Sequence, residues 1–351
     1  MRCAVAPMID VTHQHFLAML HLISPRFTLY TEMLHANAIV HNRGDLFRLI
    51  GEAHPHTVVQ LGGSDPAMMA KAVALVQREG FEQININCGC PSDRVQHGNF
   101  GAVLMKDPEL VARMLDAIKE TSHLPVTIKH RLGVDDTHDS DEHLHCFVRT
   151  LTSCHNPPHH LIVHARKCWL KGLSPRQNRT VPPLQYDRVK RLKEAFPDLQ
   201  FTLNGGIDTV DKVRWALEHF DGVMLGRKIM DDPLFLATLD QALHFVTSPT
   251  SVSDLLIAYH QYLCNLRHHP RFNPTYQPST SLLLKPLFML YKGSQGRQWR
   301  TLIASHVQAG KKHKRKAENV LEDIINDWIR RSDAPSEFQP TNIPEPQLVM
   351  V

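Results

Sequence analysis

Short apolar runs alternate with longer amphipathic stretches over the first two thirds of the chain. The runs are Cys3–Met8, Thr28–Met33, Thr57–Gly63, Gln83–Gly89, Pro125–Gly133, His160–Arg166, Gln200–Gly206 and Gly222–Arg227, and each closes on a polar or glycine-bearing cluster. Eight such runs with helical patterns between them predict a (β/α)8 TIM barrel of the α/β class. Three intervening helices carry a start signal. Asp65-Pro66, Asp107-Pro108 and Asp232-Pro233 each place a capping carboxylate before a proline at the first helical position, where its missing N–H costs nothing. After the second, Leu110, Val111, Met114, Leu115 and Ile118 recur at the 3.6-residue period and predict a face packed on the barrel. The barrel domain is expected to span 1–240, followed by a linker at 241–253 and a smaller C-terminal all-α helical domain at 254–332. The last helix of that domain shows Val320, Leu321, Ile324, Ile325, Trp328 and Ile329 at amphipathic spacing. Residues 333–351, rich in Pro, Glu and Gln, read as a disordered tail.

Composition adds little to this picture. Hydrophobic residues make up 42% and charged residues 21% of the 351, and no apolar run approaches the roughly 18 residues of a membrane span. The opening MRCAVAPMID lacks the long apolar core and cleavage site of an export signal, so a cytoplasmic protein is expected. Seven cysteines, an odd number in a long chain, argue for reduced thiols over a disulfide framework. Charge changes the picture more. The net +4 hides a stretch, 255–317, with eleven Lys or Arg and no Asp or Glu, which leaves the remainder at −7. A basic module on a mildly acidic body attracts phosphate backbones whatever their sequence, although a solvated basic face has the same composition.

In a barrel of this kind the chemistry gathers at the C-terminal strand ends. Those positions hold Pro7 and Met8, Glu32, Gln60, Asn87 with Cys90, Lys129 with Arg131, His164 with Arg166, Asn204-Gly205-Gly206, and Gly226-Arg227. Glycines closing the seventh and eighth runs let backbone N–H groups approach an anion, at the place where barrels commonly hold a cofactor phosphate, and Arg227 adds a fixed positive charge. Either glycine cluster alone would more simply be a turn. Lys129 could equally snorkel to solvent, but its neighbours favour the site. Cys90 lies in NCGCPSDRVQHG, in a Gly-Cys-Pro turn that exposes the thiol. A cysteine thiol is mostly protonated at neutral pH, so it can act as a general acid as well as a nucleophile. Cys88 invites a metal reading, yet no second cysteine pair or histidine partner stands at zinc-ligand spacing, and no metal is expected. His159-His160 and His268-His269 read as surface or packing.

In order along the chain, APMIDVTHQH, LYTEM, QLGGSDP, ININCGCPSDRVQHGNFGAVLM, IKHRLGVDD, HARKCWLKGLSPRQNR, VPPLQYDRVKRLK, LNGGI and DGVMLGR span residues 6 to 227, and GRQWR follows at 296–300. Together these strongly resemble the tRNA-dihydrouridine synthases, and within them the A subfamily. The resemblance implies an FMN-containing barrel with a helical tRNA-binding domain. Such an enzyme uses NADPH to reduce the C5–C6 double bond of D-loop uridines 20 and 20a to 5,6-dihydrouridine. Pro7, Met8 and Ile9 would run along the flavin, and Gln60 would hydrogen-bond its ring system. Lys129 and His164 would touch the flavin on the substrate side, and Asn204, Gly205, Gly206, Gly226 and Arg227 would cradle its phosphate. Hydride would pass from flavin N5 to C6, with the proton for C5 supplied by Cys90. Asn87, Arg176, Arg179, Arg297 and Arg300 match positions where the family touches tRNA. Two departures are Cys88, where the family often has an aliphatic residue, and Val11, where it often has tryptophan. Neither removes a catalytic group, although Cys88 could give the site an oxidation partner. The implied partners are tRNA and NADPH, with no membrane and no obligate protein partner evident. Two other readings share part of this pattern. A flavin barrel acting on a free pyrimidine, like a dihydroorotate dehydrogenase, would need neither the basic domain nor LSPRQNR. A non-catalytic RNA-binding barrel would be marked by loss of Cys90 or of the phosphate glycines, and both are present.

Overall fold

The computed structural model describes residues 3–244, 251–271 and 278–330. The expected tail at 333–351 and part of the expected linker, 245–250, lie outside the described residues. Among the described residues nine strands form one parallel sheet: β1 (Cys3–Val5), β2 (Thr28–Tyr30), β3 (Leu34–His35), β4 (Thr57–Gly62), β5 (Ile84–Cys88), β6 (Val126–Arg131), β7 (His160–His164), β8 (Gln200–Asn204) and β9 (Gly222–Leu225). β1 pairs with both β2 and β9, Ala4 lying opposite Thr28 on one side and Met224 on the other, and β2 pairs with β4. All strands but β3 thereby close into the expected eight-stranded barrel. β3 is an added two-residue piece that joins the end of β4, with Leu34 opposite Leu61. Strands of a closed parallel barrel are covered on both faces, and β4 is accordingly buried along its whole length. Ala4, Ala6, Tyr30, Val58, Ile162 and Met224 make up one apolar cluster. On β4, β5 and β6, Gln60, Asn85 and Thr127 stand in register and are fully buried.

Two of the three start signals cap as expected. Asp65 accepts from the Met68 N–H (2.9 Å) ahead of the helix Pro66–Arg78, and Asp107 from the Leu110 N–H (3.0 Å) ahead of the helix Pro108–Lys119. In the latter helix Val111, Met114, Leu115 and Ile118 are fully buried. The third signal is corrected. The helix Phe235–Ala242 starts after Leu234 without a side-chain cap, and the Asp232 carboxylate instead takes Lys228 (2.8 Å) and Lys292.

By packing, the described residues divide into two compact units, one of 3–14 with 26–226 and one of 15–25 with those from 227 onward. The packing boundary thus falls at 226/227, where the sequence pattern placed it near 240. The second unit is helical, including Val252–His268, Gly293–Lys312 and Ala317–Ile329. Its core is an aromatic triangle of Tyr291, Trp299 and Trp328, with ring centroids 5.1 Å apart pairwise. Both indole N–H groups are satisfied, Trp299 donating to Leu287 O (2.7 Å) and Trp328 to the Tyr291 hydroxyl (3.2 Å). Among the described residues no helix is long and apolar enough to cross a membrane.

Candidate active site

Because the barrel strands are parallel, their C-terminal ends share one rim, and register brings neighbours together: Asn87 opposite Lys129, Arg131 opposite His164, and His164 opposite Asn204. The loop after β1 is a tight turn fixed by Thr12. The Met8 N–H donates to Thr12 Oγ1 (2.9 Å), and the Thr12 N–H returns to Met8 O (2.9 Å). Asp10, in the left-handed region at φ +63°, has its N–H held by Glu32 Oε2 (2.8 Å). Pro7 and Met8 are partly buried, while Ile9 holds a large apolar side chain 52% exposed.

A hydrogen-bonded ladder climbs from the barrel interior to the Cys90 turn. Asn85 donates to Thr127 Oγ1 (2.9 Å) and accepts from Gln60 Nε2 (2.7 Å), while Gln60 Oε1 accepts from Asn87 Nδ2 (2.8 Å). Asn87 Oδ1 then accepts the backbone N–H groups of Gly89 (3.0 Å) and Cys90 (2.9 Å). Each buried amide is oriented by the one below it, so the backbone of Cys90 is set by residues of β5 and of the strands on either side of it. The other side of the turn is held by the Ala102 N–H on Cys90 O (2.9 Å), and a Cβ at Gly101 would come within 2.6 Å of the same oxygen. The half-buried Cys90 thiol donates to Ser92 Oγ (3.6 Å). Gln96 Nε2 donates both to Pro91 O and to Leu170 O (2.8 Å each), tying the Cys90 turn to the loop after β7. Sequence reading missed Gln96 and Gly101; both lie in the NCGCPSDRVQHGNFG block, but nothing local marks their partners. Cys88 is fully buried, alternates to the side of β5 away from Asn87, and stands opposite His130, and burial pushes its thiol up. The strand ends at Cys88, so the two cysteines do not form one ligand pair. Among the described residues no group of three or more His, Cys, Asp or Glu is placed to hold a metal ion.

Lys129 donates to Asn204 Oδ1 (3.1 Å), and Asn204 Nδ2 donates to Met224 O (2.8 Å). Burial drives the Lys129 ammonium down to about 7, with Arg131 adding repulsion and Cys90 opposing the shift. Arg131, 3% exposed, clamps two loops at three points, through Gly89 O (2.9 Å) after β5 and through Lys167 O (3.1 Å) and Asn178 O (2.9 Å) after β7. At the end of β8, Gly205 and Gly206 have φ of +114° and +70°. A Cβ at Gly205 would meet the His164 ring at 2.8 Å, and one at Gly206 would meet Leu184 at 2.5 Å and the Tyr186 hydroxyl at 2.9 Å. Only glycine serves at either place. Gly226 differs: its nearest neighbour is Ala6 at 3.7 Å, so the protein itself leaves room for a side chain there. Arg227 follows directly as the exposed first residue of the helix Arg227–Asp231. An exposed apolar shelf, a floor of carboxamides, a cation and a glycine cradle together suit a planar hydrogen-bonding ring with a phosphate tail.

Of the other positions the resemblance singles out, Asn87 is 8% exposed and commits its carboxamide oxygen to the Cys90 turn. Arg176 and Arg179 are exposed on and beside the short 3-10 helix Gln177–Arg179. Nearby, an open groove of about 630 Å³ is lined by Gln96, His97, Leu170, Lys171, Leu173 and Pro175 among others. Arg297 and Arg300 belong to the helical unit. In GRQWR, Trp299 is fully buried and a Cβ at Gly296 would sit 2.3 Å from Tyr291 O, so the motif's tryptophan and glycine build the core. Its arginines lie one turn apart, with Arg297 exposed and Arg300 partly so.

The sequence matches the dihydrouridine synthase (Dus) family over residues 4–327. It is 50% identical over 267 residues to the tRNA-dihydrouridine(20/20a) synthase of Xanthomonas axonopodis pv. citri (strain 306), covering 75% of this chain and 78% of that protein. It is 41% identical over 328 residues to the protein of the same name from Shigella flexneri, covering 92% of each. With that of Escherichia coli (strain K12) it shares 40% over 328 residues, covering 92% of this chain and 90% of the relative. Among solved structures, a 2-naphthoyl-CoA reductase in complex with 2-naphthoyl-CoA aligns with a TM-score of 0.50 at 9% identity, over 70% of this chain and 50% of that one, a likeness of fold alone.

Proposed function

This chain belongs to the dihydrouridine synthase family, and from that premise we propose that it reduces the C5–C6 double bond of uridines 20 and 20a in the D-loop of tRNA, with FMN as cofactor and NADPH as reductant. The observation that carries the reading is the placement of Cys90, whose backbone is pinned by Asn87 on the same rim as Lys129, Arg131 and the glycine cradle. Pro7, Met8 and Ile9 offer the ring an apolar edge, and Gln60, Lys129 and His164 offer it polar contacts. Asn204, Gly205, Gly206, Gly226 and Arg227 hold the phosphate. The room left at Gly226 is a space the protein does not fill itself. Bound and reduced, the flavin supplies hydride for C6 of the uracil.

Cys90 Sγ holds the proton destined for C5. Its departure leaves a thiolate, and Lys129 and Arg131 are the charged groups that interact with Cys90 at the rim. Asn87 keeps one amide hydrogen beyond the one given to Gln60, enough to meet a carbonyl of the substrate base. A D-loop uridine reaches such a site only if it is extruded, at a cost of a few kcal/mol, which contacts from Arg176, Arg179, Arg297 and Arg300 to tRNA offset.

Cys90→Ala separates the half-reactions. NADPH should still bleach the flavin in stopped flow, while dihydrouridine formation on tRNA falls roughly 10²–10⁴-fold, the usual loss of a general acid. Cys88→Val, on the far side of the strand, serves as the near-neutral control. Equal damage to both half-reactions, or an undiminished yield of dihydrouridine, removes Cys90 from the proposed role.

A further inference from the structure

We propose that Tyr186 is a positioning residue for the anion cradle: its hydroxyl locks the Gly205–Gly206 peptide so that the Gly206 N–H faces the phosphate of the bound flavin nucleotide. The proposal rests on the reading of the β8 end as a phosphate site. The Tyr186 hydroxyl donates to Gly205 O (2.6 Å). No cis peptide occurs among the described residues, and in a planar trans peptide the carbonyl and the following N–H point in opposite directions. Holding Gly205 O toward Tyr186 therefore turns the Gly206 N–H away from it. Among the described residues neither the Gly206 nor the Ile207 amide meets a protein acceptor.

A lock is needed because this peptide joins two glycines. With no Cβ on either side, rotation of the peptide plane meets little steric resistance, and the flipped form would present a carbonyl oxygen to the anion. The lock is itself well held. Tyr186 opens the helix Tyr186–Ala195, whose start is tied to the end of β7 by the Gln185 N–H on Ala165 O (2.9 Å). The Tyr186 ring packs on Trp215 (centroids 5.3 Å), which in turn meets His219 (4.8 Å) and Lys190 (4.9 Å). Lys212 adds a weaker tether on the next carbonyl, Gly206 O (3.3 Å), while paired to Asp208 (2.7 Å). A site of this kind gains affinity by having its N–H groups oriented before the ligand arrives.

Tyr186→Phe keeps the ring and its packing on Trp215 and removes only the hydroxyl. The flavin-stripped full-length protein is titrated with FMN and with riboflavin, which lacks the phosphate, by flavin fluorescence. The Phe variant should bind FMN roughly 3- to 10-fold more weakly, the worth of one hydrogen bond, and riboflavin as well as before. A second readout needs no flavin: inorganic phosphate should move the Gly206 amide resonance in the wild type, and Tyr186→Phe should need roughly 3- to 10-fold more phosphate for the same movement. If the wild type does not prefer FMN to riboflavin, the phosphate reading itself fails. If the wild type prefers FMN and the variant keeps that preference in full, or weakens for both flavins equally, the cradle stands and the lock is overturned.

Discussion

Lys129 carries a charge whose cost depends on pH. Burial and Arg131 hold its ammonium at about 7, against 10.5 for an ordinary lysine, with Cys90 acting the other way. The unfolded chain keeps the ordinary value, so between about pH 7 and pH 10.5 the unfolded state binds the extra proton and stability rises with pH; below that window the penalty is present in full. Lys129→Met should raise the melting temperature of the flavin-free protein relative to wild type at pH 6. That advantage should decline steadily toward pH 10. Thermal scans across the range check this, and a pH-independent difference would mean that volume, and the missing bond to Asn204, outweigh charge. The same scale shows what residue type alone conceals. The apolar runs mark Asn87 and Gln60 as expected site positions, yet the bond that joins them spans 27 positions along the chain, and no local pattern encodes it.

At the scale of elements, one dipeptide has two outcomes. Asp65-Pro66 and Asp107-Pro108 cap their helices, whereas Asp232 serves two lysines. Asp65→Ala should cost about 1 kcal/mol through removal of the cap, little changed by salt because the Met68 N–H is left short of its acceptor at any ionic strength. Asp232→Ala should lose a part that shrinks in 1 M NaCl, since ion pairs are screened there. Urea unfolding of both variants at low and high salt distinguishes them, and an equal salt response would mean that Asp65 also acts by charge. The eight barrel strands were legible because a strand covered on both faces is apolar along its length, and the helices because a stripe repeats every 3.6 residues. β3 was not, being two half-buried residues whose pairing depends on the end of β4.

For the whole molecule the basic stretch is the test. It is acid-free in sequence but not in space: Arg267 meets Glu318 (2.7 Å), Arg315 meets Asp323, and Lys292 meets Asp232, all from acids outside 255–317. The charge offered to phosphates is therefore less than the eleven basic residues suggest. Arg297 and Arg300, the contacts proposed above for tRNA, lie a turn apart on the helix Gly293–Lys312, Arg297 exposed and Arg300 partly so. Arg297→Glu with Arg300→Glu should weaken tRNA binding and flatten its dependence on log salt by roughly 0.7–0.9 for each phosphate that is no longer neutralised, with tRNA-independent NADPH oxidation untouched. Binding of wild-type strength with an unchanged slope would make these arginines solvated surface.

The chain's own order of residues determined the number and direction of the barrel strands, the two caps, the cysteine turn and the glycine-rich ends of β8 and β9. Each of these depends on a period or an interaction within a few residues. Only the tertiary structure decided which carboxamide orients Cys90, which acids neutralise the basic stretch, and which tyrosine holds the glycine peptide. Those outcomes are set by groups far apart along the chain, and by the removal of water from Lys129, Arg131 and Thr127, which happens only when the barrel closes around them.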